Sequence, residues 1–109
     1  MLNVKLKERS NMESVKQFCS NHGFKEVKIN NKERYVKSVS SKDWFAIEVF
    51  DNNVRLSYEN YNLQKPFVRN NTLTIDYVQY LIEIGKLDEF IKKELIRFVD
   101  SVYYYILNH

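Results

Sequence analysis

Residues 45–58 read FAIEVFDNNVRLSY, and this stretch decides the fold. Phe45, Ile47 and Val49 recur at every second position and so share one strand face, as Val54, Leu56 and Tyr58 do on the next run. Between the runs, Asp51-Asn52-Asn53 supplies residue types that tolerate the positive φ angles of a tight loop. The stretch therefore predicts a β-hairpin with one apolar face that needs a cover.

The same period of two extends upstream. Val27 and Ile29 alternate with Lys28, Asn30-Asn31 offers a turn, Tyr35, Val36 and Val39 mark another strand, and Ser40 to Asp43 makes the next break. Four strands in an antiparallel meander follow. Ahead of them Ser10-Asn11-Met12-Glu13 has the spacing of a capping box, Val15, Phe18, Cys19 and His22 form one helical stripe, and Gly23 can close the helix. A first helix is expected over about residues 11–22. Val4 and Leu6 alternate with lysines, which fits a short strand or an extended arm.

Downstream, Pro66 and Asn70-Asn71 argue for a loop of about ten residues over Asn62–Asn71. Thr74 can cap a second helix carrying Ile75, Val78, Leu81 and Ile82 and ending at Gly85. A third helix is expected over about residues 87–107, with Asp88 and Glu89 in its first turn and Phe90, Ile91, Leu95, Phe98, Val102 and Ile106 as its stripe. The expected fold class is α+β: an N-terminal helix, a four-stranded antiparallel meander sheet and two C-terminal helices packed on one sheet face. Residues 1–109 fit a single compact domain.

Seven Phe, eight Tyr and one Trp against two Gly and one Pro give the apolar content of a folding chain. Cys19 is the only cysteine, so no intramolecular disulfide can form, and a reducing cytoplasmic compartment is expected. The N-terminus lacks the apolar run of a signal peptide, and the most apolar stretch, Val99 to Leu107, is far shorter than the roughly 20 residues that span a bilayer.

Charge divides the chain. Residues 1–42 carry a net +6 and residues 43–109 a net −3, within a total of +3. Lys25, Lys28, Lys32, Arg34, Lys37 and Lys42, with Tyr35 among them, fall on one expected hairpin and its flanks. Lysine and arginine neutralise phosphates and a sheet tyrosine stacks on unpaired bases, so DNA or RNA binding is one reading. Lysines on strands also keep an exposed face solvated and an edge unpaired, and no glycine-bearing aromatic motif of an RRM-type sheet is present.

Tyr103-Tyr104-Tyr105 is the second concentration. Consecutive helical residues point about 100° apart, so at least one of these tyrosines faces solvent or another molecule, and tyrosine is enriched at interfaces. Tyr103 and Tyr104 are the expected contact residues, either for a protein partner or for a homodimer through the C-terminal helix.

Catalytic patterns are weaker. Cys19 and His22 sit i and i+3 on one helix, but a zinc site needs about four donors and a thiol nucleophile needs a third orienting group. Glu48 and Asp51 could pair at a metal, yet a nuclease of the Glu-x-Lys type requires lysine where Phe50 stands. No glycine-rich phosphate loop or nucleophile elbow occurs. No catalytic residue, metal or cofactor is therefore assigned. The expectation is a non-enzymatic module that binds another protein. Abundant Asn, Lys, Ile and Tyr match accessory proteins of phages and mobile elements, which suggests an inhibitor of a host defence protein, for example an anti-CRISPR protein. The alternative is nucleic-acid binding through the basic N-terminal half.

Overall fold

The computed structural model describes residues 2–29, 32–62 and 65–108. Eight elements follow in order: α1 (Leu2–Asn21), β1 (Lys25–Ile29), β2 (Lys32–Ser38), β3 (Asp43–Phe50), β4 (Asn53–Asn60), β5 (Phe67–Thr74), α2 (Ile75–Glu83) and α3 (Leu87–Asn108). The fold is α+β, and the strands form one antiparallel sheet in the sequential order β1-β2-β3-β4-β5. The expected turn at Asn30-Asn31 lies outside the described residues.

Period-two alternation sorts the strands onto two faces. Tyr35, Ile47 and Leu56 are cross-strand neighbours, as are Val49, Val54 and Leu73 along β3, β4 and β5. These side chains meet Val15, Phe18 and Cys19 of α1, Val78 and Leu81 of α2, and Ile91, Leu95, Phe98 and Val102 of α3 in one core cluster. Burying each large apolar side chain contributes about 1.5–3 kcal/mol, so this inner face dominates the stability. The hairpin turn has the expected positive φ values, 43° at Asp51 and 61° at Asn52. Thr74 caps α2 by accepting from the Tyr77 amide at 3.2 Å, and Gly85 follows it at φ 68°.

Two expectations are corrected. The sheet has five strands, because Phe67–Thr74 pairs with β4 along its whole length where a loop is expected. Its inner face is apolar only at Phe67 and Leu73, and inward Asn71 is satisfied by Glu94 of α3 at 2.9 Å. A long-range polar pair thus stands in for the missing apolar alternation. The first helix begins at Leu2, placing Val4 and Leu6 in a helix and Ser10 inside it. The Leu, Lys, Glu and Arg residues of that segment are strong helix formers and continue the helix through the capping pattern. In α3, Phe90 is only partly buried, Leu87 joins the core, and the Ile106 side chain lies outside the described residues. No helix is long and apolar enough to cross a membrane among the described residues.

Candidate interaction surface

The basic hairpin does not form one patch. Register places Lys25, Lys32 and Arg34 on the outer sheet face, and Lys28, Tyr35 and Lys37 on the face the helices cover. Lys42 is exposed in the β2–β3 turn. Tyr35, expected as a contact residue, is 7% exposed within the core, because its register aligns it with Ile47 and Leu56. Its ring is unavailable for stacking on a base, and burial, aided by neighbouring Glu33, holds its hydroxyl protonated far above the ordinary tyrosine range. Arg34 is engaged as well, with Nη2 2.8 Å from Oε2 of Glu59. Lys25, Lys28 and Lys32 stay exposed on β1, the edge strand, and on the start of β2, where lysine discourages edge-to-edge pairing.

The outer face is organised around Glu59. Arg34 on β2 reaches across β3 to it, and Trp44 Nε1 donates to the same carboxylate oxygen. Ala46 lies midway along that path and is fully buried, although it points away from the helices. Glu48 is the cross-strand neighbour of both Arg34 and Arg55, and the Arg55 guanidinium sits 4.7 Å over the Phe50 ring. Arg34 is neutralised by Glu59 and Glu48 lies between Arg34 and Arg55, while Lys25 and Lys32 add positive charge at the β1–β2 edge of the same face. Trp44 stacks on Tyr61 with 5.0 Å between ring centroids and 25° between planes.

The end of the sheet that carries Asp43, Asn60 and Phe67 holds one group of exposed aromatics; a second, Tyr77 and Tyr80, stacks on α2 beyond the opposite end of β5. Tyr61 follows β4 at the Asp43 end, its amide donating to the Lys42 carbonyl at 2.8 Å. On α3, Val102 enters the core and Tyr105 packs on Phe67 at 5.4 Å, leaving Tyr103 and Tyr104 outward at 65% and 72% exposure. A buried network stiffens this end: Tyr58 donates to Asp43 at 2.6 Å, Asn60 donates to the Tyr58 hydroxyl at 2.9 Å, and Ser40 also donates to Asp43. Burial and the bond to Asp43 push the Tyr58 hydroxyl up to about 12, and Tyr103 is near enough to add to the rise. Trp44 and Tyr61 are the interface candidates missed in the sequence. The alternation that turns Phe45 inward also turns Trp44 outward, so the signal was present.

The weaker chemical candidates do not come together. Cys19 is buried, and burial pushes its thiol up to about 12, so it stays protonated and poorly nucleophilic. His22 packs against Phe18 at 4.3 Å and approaches Asp88 at 3.9 Å. Glu48 lies on the outer face and Asp51 in the hairpin turn. Among the described residues no cluster of three or more His, Cys, Asp or Glu side chains could hold a metal ion. No protein-family profile matches the chain, and no curated protein or solved structure matches it either.

Proposed function

We infer that this protein is a non-enzymatic interaction module that binds another protein at the Asp43–Asn60–Phe67 end of its sheet. The observation that carries the reading is that one braced end presents aromatics on both sides of the sheet, Trp44 stacked on Tyr61 on the outer face and Tyr103 and Tyr104 on α3 over the inner face, with three of the four exposed. Aromatic residues on a rigid support provide large contact area at low entropic cost, the chemistry of interface anchors. Lys42 on the adjoining turn adds a cationic rim. Action inside the cell rests on the lone cysteine, and the narrower reading as a phage-borne inhibitor rests on composition.

Nucleic-acid binding is the second reading, favoured by exposed Lys42, whose backbone is bonded to Tyr61. It is weakened by the division of the basic hairpin between two faces, by the engagement of Arg34 with Glu59 and by the burial of Tyr35. The test is capture of host proteins on immobilised protein after nuclease treatment, paired with titration of single- and double-stranded nucleic acid at low salt. A nuclease-resistant protein partner and no nucleic-acid retention support the module. Retention of nucleic acid that falls steeply with salt overturns it. A homodimer through α3 would bury the same tyrosines, and sedimentation equilibrium separates that case.

A further inference from the structure

Among the described residues, the opening between α1 and α3 over the inner sheet face differs in charge from two other clefts. It encloses about 230 Å³. Its floor is a cross-strand row in which Lys37 lies beside Phe45, with Phe24 just ahead of β1 on the other side. Phe18 and His22 wall it on the α1 side, and Lys92 and Ile96 on the α3 side. A lysine on a core-facing row between two phenylalanines is unusual, because its stem can pack on the rings while its ammonium must reach the opening.

Neither Lys37 nor Lys92 has an acidic partner among the described residues. In the cleft beside Phe90 the corresponding cations are neutralised, with Lys86 and Lys93 3.2 and 3.1 Å from Glu89. The larger cleft lined by Ser14, Asn21 and Asp88 holds no cation. Asp88 approaches His22 and leaves the two ammonium groups unmatched. Two uncompensated cations over an aromatic floor favour an occupant with an anionic head and a short apolar body.

We propose that this cavity binds a small amphipathic carboxylate, its apolar part against Phe18, Phe24 and Phe45 and its carboxylate held by Lys37 and Lys92. The inference rests on observations separate from those at the aromatic end, although the two places adjoin: Phe45 of the cavity floor packs on Tyr58, whose hydroxyl belongs to the bracing network, with 5.5 Å between ring centroids. Octanoate is the probe, followed by amide chemical shifts in ¹⁵N-labelled full-length protein, with octanol as the uncharged control.

Octanoate is expected to give saturable shifts confined to residues around Phe24, Phe45 and Ile96, and octanol to bind at least about fivefold more weakly. Lys37→Gln with Lys92→Gln should weaken octanoate about tenfold and bring it level with octanol. Both sites are exposed, and an unchanged spectrum of the free variant verifies its fold. Absence of saturable shifts at millimolar octanoate, equal binding of octanol by the unaltered protein, or undiminished binding by the folded double variant would each overturn the proposal.

Discussion

Trp44 stacks on Tyr61 across the end of the sheet, with ring centroids 5.0 Å apart, while its indole N–H is held by Glu59. Because this is the only tryptophan, the contact has its own optical reporter. Tyr61→Ala should shift tryptophan emission to the red and cost about 0.5–1.5 kcal/mol. Fluorescence during urea unfolding reads both quantities.

Arg34 and Glu59 make the long cross-sheet pair over Ala46, and both side chains are largely shielded. Arg34→Ala leaves the carboxylate without its cation and should cost about 1–3 kcal/mol. Glu59→Gln keeps an acceptor for Trp44 and should cost less than Arg34→Ala. Urea midpoints of the two variants, compared at constant m-value, check the order.

Alkaline pH should unfold the protein early. The Cys19 thiol rises from 9.0 to about 12 in the folded chain and the Tyr58 hydroxyl from 10.0 to about 12, and Tyr35 is raised as well. The unfolded chain therefore releases these protons first, so stability is fully present below pH 9 and falls as pH rises toward 12. Cys19→Ala should delay the onset of the decline to the tyrosine range and lower neutral-pH stability by about 1 kcal/mol. Urea titrations from pH 7 upward measure the onset.

Lys25 and Lys28 protect the β1 edge, one on each face. Replacing both with valine should leave the monomer folded and promote concentration-dependent association. Light scattering at increasing protein concentration checks this, and unchanged scattering would remove the edge-protecting role.

The sequence made much of the scaffold legible through strong local signals. The β3–β4 hairpin follows from its alternation and from Asp51-Asn52 at positive φ, and α2 from Thr74 and Gly85. What escaped depends on distant partners. β5 is a strand because β4 supplies its ladder and Glu94 satisfies Asn71, and neither is visible in the local composition of Phe67–Thr74. At the candidate surface, helical geometry requires at least one of Tyr103, Tyr104 and Tyr105 to face outward, and the burial of Val102 with Tyr105 packed on Phe67 turns Tyr103 and Tyr104 out. The buried position of Tyr35 and the Arg34–Glu59 pair required the strand register, which a linear count of positive charges does not contain.

On the proposed function, the aromatic end, and not the basic hairpin, holds the partner. Side-by-side capture by the unaltered protein, by Tyr61→Ala/Tyr103→Ala/Tyr104→Ala, and by Lys25→Glu/Lys28→Glu/Lys32→Glu tests it directly, with circular dichroism verifying each fold. The tyrosine variant should lose the partner while the lysine variant keeps it. Capture retained by the tyrosine variant, or lost by the lysine variant, would contradict it.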